Sequence, residues 1–216
     1  MSILSVNDIY QFGDQFELKT HLRNNDENMH DILEDLKSFN NKWSQYNPRK
    51  EINRQGLCVL NHTGVVGPGP ALDSLYEYNK EHYTNVTETD CNKPTELFYK
   101  SKSLQACLSD MLPWICRTHF LRLGSGGFFP THRDHKFGVQ NCFRIIAPIL
   151  NCKYPSFFFL LENKLLDWNY GSFYVINTTK AHTLFNASMD DSIWLIINAI
   201  VCKESIDFIC NNLMIT

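Results

Sequence analysis

The sequence predicts an α+β protein: a mainly helical N-terminal part followed by an antiparallel jelly roll. Three observations lead there. Ile32, Leu33, Leu36 and Phe39 recur at helical spacing with acidic residues between them. From Ile115 onward the pattern changes to short runs of β-branched and aromatic residues, cut by turn residues at the spacing of an antiparallel sandwich. No internal repeat or low-complexity stretch interrupts the chain. Helices first and strands second imply helices packed on the outside of the roll. The 216 residues read as a single domain, with a helical flank over 1–114, the roll over 115–202 and a short tail over 203–216.

Taken in order, residues 26–39 form an amphipathic helix, and 40–56, polar and holding Pro48, a loop. Leu57-Cys58-Val59-Leu60 is a short strand that stops at Gly64, and Gly67-Pro68-Gly69-Pro70 punctuates a loop. Leu72, Leu75, Tyr76 and Tyr78 mark a helix over 72–82, with Asp73 and Ser74 in its first turn. Residues 84–96 are turn-rich, and 103–111 form a third helix with Ser103 as its cap. The roll strands are expected at 117–123, 128–136, 143–150, 156–161, 172–176, 181–186 and 193–201. Gly124-Ser125-Gly126-Gly127, residues 151–155 and Tyr170-Gly171 supply turns between them. The mouth of such a roll is a natural ligand pocket.

Composition narrows the function classes. With 44% hydrophobic and 20% charged residues and a net charge of −3, the chain has no basic field for nucleic acid and no basic run for a membrane surface. Its longest apolar runs, 157–161 and 193–201, have strand length. The first residues lack a basic stretch followed by an apolar core, so no signal peptide is expected and the protein is placed in the cytoplasm. The eight cysteines include no Cys-x-x-Cys pair and read as reduced thiols, mostly buried. The sequons at Asn61, Asn85, Asn177 and Asn186 carry no meaning in that compartment.

The chemistry centres on His132-Arg133-Asp134. A His and an Asp two apart on an extended segment point to the same side, and His182 opens another extended run fifty residues later. Two imidazoles and a carboxylate on one face of an ion, with open positions opposite, suit non-haem Fe(II) and O2 chemistry. A His-x-Asp pair recurs often by chance as a surface pair. Here the glycine turn before it, the strand pattern around it and the later His single it out. His135 faces away from His132 and Asp134, and His119 reads as a packed histidine or one supporting the ligands from behind.

At these residues the sequence resembles the Fe(II) and 2-oxoglutarate-dependent oxygenases, whose core is a double-stranded β-helix. Within them it is most similar to the aspartyl/asparaginyl β-hydroxylase-like group, which includes proline hydroxylases. The resemblance spans about residues 115–202. It rests on Arg122-Leu123-Gly124, Gly126-Gly127, Thr131-His132-Arg133-Asp134, the stretches 143–149 and 170–177, and His182-Thr183-Leu184-Phe185-Asn186. Residues 1–114 carry none of it. The resemblance implies His132, Asp134 and His182 as iron ligands, with 2-oxoglutarate and O2 as cosubstrates. The substrate would be an amino acid, free or in a peptide or protein, with proline or Asp/Asn side chains as the expected type.

It also implies a 2-oxoglutarate contact for Arg144. Arg144 lies in the apolar run 143–150, where an unpaired charge is costly and a bidentate carboxylate would satisfy it. The family's second Arg, about ten residues after the distal His, is replaced here by Ser192. The far carboxylate then falls to Arg144, to Arg122, or to the hydroxyls of Tyr174 and Thr183. Arg122 and Arg133, flanking the motif, are candidates for a substrate carboxylate. Ser192 keeps two other readings open: a cupin-like metal enzyme that does not use 2-oxoglutarate, and a catalytically silent jelly-roll binding protein.

Overall fold

A computed structural model describes residues 4–21, 26–134 and 141–214. The N-terminal part runs α1 (Val6–Tyr10), β1 (Gln15–His21), α2 (Asp26–Ser38), β2 (Ser44–Gln45), β3 (Arg54–Asn61), α3 (Leu75–His82), β4 (Lys93–Pro94), α4 (Glu96–Lys100) and α5 (Lys102–Leu108). The roll follows with β5 (Ile115–Leu123), β6 (Phe128–His132), β7 (Cys142–Leu150), β8 (Phe157–Leu161), β9 (Lys164–Leu165), β10 (Ser172–Ile176), β11 (His182–Asn186) and β12 (Ser192–Ile200). Helix α6 (Lys203–Asn212) closes the chain. The larger sheet has the order β1-β10-β7-β12-β5-β3-β2, with β4 on β3, and the smaller the order β6-β11-β8-β9. Roll strands thus come from alternating stretches of chain, four to each sheet, all antiparallel to their neighbours. This is a jelly roll, a double-stranded β-helix.

The pleat sorts the core into two layers. On β12, Leu195, Ile197 and Ala199 face one way and pack with Phe120, Phe143, Val175 and the helix residues Leu36, Leu104 and Ile209. Trp194 and Ile196 face the other way, between the sheets, with Leu121, Ile146, Phe159, Trp168 and Leu184. Covered on both faces, β12 and β7 read as nearly unbroken apolar runs.

Two parts of the chain differ from expectation. The flank expected to be mainly helical contributes β1 and β3 to the larger sheet, β1 against β10 and β3 against β5. In β1, Phe16 and Leu18 are buried beside the more exposed Glu17 and Lys19, the period of a half-buried strand. The expected tail is instead α6, anchored by Ile209, with Ser205 Oγ accepting the Cys202 N–H at 3.0 Å. Smaller shifts have local causes. The helix expected at 72–82 divides at Asp73, which accepts the Ser74 N–H, into a 3-10 turn and α3. The cap of α5 is Ser101, which accepts the Leu104 N–H at 3.2 Å, while Ser103 lies buried within the helix. The strand expected at 128–136 ends at His132, and His135 lies outside the described residues. Among the described residues no helix is long and apolar enough to cross a membrane.

Candidate metal centre

Strand register brings the first two ligand candidates together. His132 on β6 pairs directly with His182 on β11, so both imidazoles leave the same face, with ring centroids 4.2 Å apart. The glycine turn sets that register. Gly126, at φ +70°, donates to the Asn186 carbonyl, and Gly127 both donates to Gly124 O at 2.8 Å and accepts from Asn186 N at 2.9 Å. A Cβ on Gly127 would run into the Asn53 carbonyl oxygen, so the close approach requires glycine. The buried Asn186 amide ties the turn to Leu123 O and Asp190 O at 2.8 Å each. Two residues past β6, the Asp134 N–H donates to Thr178 O at 2.9 Å, which turns its carboxylate back toward the imidazoles.

His132, Asp134 and His182 each offer a ligand atom within 4.8 Å of the others. Both histidines direct Nδ1 at a backbone carbonyl two residues earlier, Pro130 O at 2.8 Å and Lys180 O at 3.0 Å. A carbonyl only accepts, so Nδ1 carries the proton and Nε2 presents its lone pair inward. Burial pushes the His182 pKa down to about 4, so the ring is neutral at neutral pH. Burial works to raise the Asp134 pKa, but Arg144 and then His182 outweigh it and hold the carboxyl below its usual value. Two imidazoles with Nε2 turned inward and an ionised carboxylate are the donor set that non-haem Fe(II) takes.

Beside the triad a cavity opens between the sheets. Leu121, Phe129, Ile146, Phe159, Leu184 and Ile196 give it apolar walls, and Arg144, Thr178, His119 and Tyr46 add polar groups. Arg144 points into it, 3.0 Å from Asp134 Oδ2, and its Nε donates to Asn198 Oδ1 at 3.1 Å. Asn198 in turn donates to buried Glu88 at 2.8 Å, and Glu88 accepts from buried Arg117 at 2.9 Å. Tyr10 of α1 is close enough to Arg144 and Asp134 to feel their charge, and burial pushes its pKa up to about 12.

The other sequence candidates lie apart from this cavity. Tyr174 is buried between the sheets with its hydroxyl accepting the Asn169 N–H at 2.8 Å. Thr183 points to the opposite face from His182 and donates to Phe129 O at 2.7 Å. Arg122 leaves β5 on the face opposite His119, bonded to Gln55 and stacked on Trp43 at 4.4 Å. Arg133 is exposed and turns to Thr179 O at 3.3 Å and toward Glu162. Sequence reasoning passed over Tyr46, Glu88, Arg117 and Asn198. Polar residues at inward positions of apolar strands signalled Arg117 and Asn198, while nothing local marked the loop residues Tyr46 and Glu88.

No protein-family model and no curated protein matches the chain. Solved structures do. A prolyl hydroxylase from Trichoplax adhaerens, in complex with a hypoxia inducible factor oxygen degradation domain peptide fragment, superposes with a TM-score of 0.56 at 10% identity. The match covers 93% of this chain and 89% of the other. The two share one fold. A viral collagen prolyl hydroxylase from Paramecium Bursaria Chlorella virus-1 gives a TM-score of 0.46 at 6% identity, over 90% of this chain and 99% of its own. A predicted oxalate decarboxylase from Thermotoga maritima gives 0.31 at 14% identity, over 43% and 73%. At these identities the likeness is one of fold.

Proposed function

We propose that the chain is a non-haem Fe(II) oxygenase that uses 2-oxoglutarate and O2 to hydroxylate an amino acid, free or within a peptide. Proline and Asp/Asn side chains are the proposed targets, as in the aspartyl/asparaginyl β-hydroxylase-like group. The observation that carries this is the meeting of His132, Asp134 and His182 at a cavity that also holds Arg144. Iron would be held by the two Nε2 atoms and the Asp134 carboxylate. With a 2-oxo acid and O2, that centre supplies oxidative decarboxylation and transfer of one oxygen atom into a C–H bond.

Charge balance supports a dianionic cosubstrate. Arg144 with Asp134 and Arg117 with Glu88 sum to zero, and buried Arg54 over the Phe129 and Tyr46 rings adds one positive charge. A divalent ion would add two more, an excess that a dianion such as 2-oxoglutarate would largely offset. Unbalanced charge in a partly buried site is costly. Arg144 would turn its guanidinium onto a carboxylate next to the metal, and Phe129, Phe159, Leu184 and Ile196 would keep water from the reacting groups. The His132 side chain is 34% exposed against 15% for Asp134, so the ion would face solvent on the β6 side, where an amino acid or a peptide can approach. The peptide bound in the Trichoplax relative is in keeping with such a substrate.

One observation favours a second reading. Ser192 is fully buried and supplies no cation, as in a cupin-like metal enzyme that uses no 2-oxoglutarate. Turnover separates the two. Iron-loaded protein, O2 and 2-oxoglutarate are incubated with amino acids and with Pro-, Asp- and Asn-containing peptides, and succinate and oxygenated product are measured. Succinate that depends on substrate and vanishes in His132→Ala is expected. Absence of succinate with every substrate would sink the reading.

A further inference from the structure

Resting on the proposed function, we infer that the far carboxylate of the 2-oxo acid lies against the β5 wall of the cavity, where His119 and Tyr46 hydrogen-bond it, and not toward the head of β12.

The shape of the interior decides the direction. Toward Ser192 the space between the sheets is full. Phe157, Phe159, Trp168 and Trp194 pack ring to ring with centroids 5.2–5.9 Å apart. Ser192 Oγ lies 3.8 Å from Cys152 Sγ, and that thiol bonds Ile193 O at 3.0 Å. A carboxylate placed there would displace the packed aromatic core. In the other direction the cavity stays open, past Ile196, to His119 and Tyr46. His119 on β5 pairs with Ile196 on β12, which pairs with Ile146 on β7, two residues from Arg144. His119 is therefore two strands from Arg144, about 10 Å across the sheet. Side chains reaching in from both walls leave a span that suits a short dicarboxylate anchored beside Arg144 and the metal ligands.

The chemistry at that wall fits an anion. His119 is 2% exposed, lines the cavity, and its Nδ1 has no hydrogen-bond partner among the described residues. Such a group is costly to bury unless something completes it. Burial, with Arg117 and Arg144 nearby, holds its pKa well below the ordinary value, so the ring is neutral and keeps one N–H to donate. Tyr46, with its ring 5.3 Å from His119, accepts from Arg117 Nη2 at 3.4 Å, which leaves its own O–H free to donate. His119 and Tyr46 line an apolar space, where hydrogen bonds to a carboxylate are strong, and the Tyr46 hydroxyl is backed by the Arg117 guanidinium.

The test compares two 2-oxo acids that differ only in the far carboxylate. Fe(II)-loaded protein without O2 is titrated with 2-oxoglutarate and with 2-oxobutyrate, and dissociation constants are read from the absorption of the chelate. Native protein should bind 2-oxoglutarate at least tenfold tighter than 2-oxobutyrate. His119→Phe should weaken 2-oxoglutarate about tenfold or more, leave 2-oxobutyrate unchanged and so erase the preference. His119→Gln, which keeps a donor, should restore part of it, and Ser192→Ala should change neither constant. Tyr46→Phe, which removes a single oxygen, should also narrow the preference and serves if His119→Phe does not fold. Unchanged preference in both His119→Phe and Tyr46→Phe, or equal weakening of both acids, would overturn the inference. Loss of preference in Ser192→Ala would overturn it too. If neither acid forms a chelate with native protein, the proposed function itself fails, and this inference with it.

Discussion

Replacing Glu88 with Gln keeps the shape of a buried side chain and removes its charge. The carboxylate accepts from Arg117 Nη1 at 2.9 Å and from Asn198 Nδ2 at 2.8 Å, with the Arg117 and Glu88 side chains only 8% and 7% exposed. Burial works to lower the Arg117 pKa, but Glu88 outweighs it and raises it, so the guanidinium stays charged and would be left without its counter-ion. Breaking a buried pair on one side costs about 3–5 kcal/mol. Counting two charge-assisted hydrogen bonds at about 1.5–3 kcal/mol each leads to the same range. For a chain of this length that lowers Tm by about 6–20 °C, read by thermal unfolding followed by circular dichroism. Because Asn198 also accepts from Arg144 Nε, the loss should extend to the cavity and weaken 2-oxoglutarate binding. Adding Arg117→Met should recover much of the stability, since the stranded charge is then gone. A single Glu88→Gln variant within 1 kcal/mol of native protein would refute the reasoning.

Gly127→Ala places a Cβ 2.8 Å from Gly124 O as well as against Asn53 O, both backbone atoms. It should cost at least about 2 kcal/mol in urea unfolding and, by moving β6, weaken Fe(II) binding. Tyr174→Phe removes a hydroxyl that accepts the Asn169 N–H; about 1 kcal/mol of stability should be lost while 2-oxoglutarate binding measured anaerobically stays unchanged. Apoprotein should lose stability in mild acid. His119 and His182 have depressed folded-state pKa values, the latter about 4, so below pH about 6.5 the unfolded chain takes up protons that the native state refuses. Each ring adds a slope of up to about 1.4 kcal/mol per pH unit below that pH and nothing above it. Urea unfolding at several pH values should show a shallower decline in His119→Gln.

The strands of the roll were legible because the larger sheet is buried on both faces, so that β7 and β12 stand out as apolar runs. The meeting of His132, Asp134 and His182 was legible because these residue types stood at strand spacing on segments of strand pattern. β1 carried the same period, Phe16 and Leu18 inward, yet stood alone among helical patterns. α6 carried Ile206, Phe208 and Ile209 at helical spacing but followed the last strand and passed for a tail. Thr183 shows that the pleat was under-used: next to His182 on one strand, it must face the other way. Tyr174 and Arg122 have suitable chemistry, but Asn169 and Gln55 already satisfy them, and no local signal in the sequence marks those partners. The Glu88 network lay beyond local reading, since its hydrogen bonds join residues 29 and 110 positions apart.

An iron held by His132, Asp134 and His182 should chelate 2-oxoglutarate. Under argon, Fe(II) is added to the apoprotein, bound iron is counted, and 2-oxoglutarate is then added while the visible spectrum is recorded. One iron per chain, a charge-transfer band on adding the 2-oxo acid, and loss of both in His132→Ala are expected. Iron bound without a band would contradict the cosubstrate, and no bound iron would contradict the centre itself.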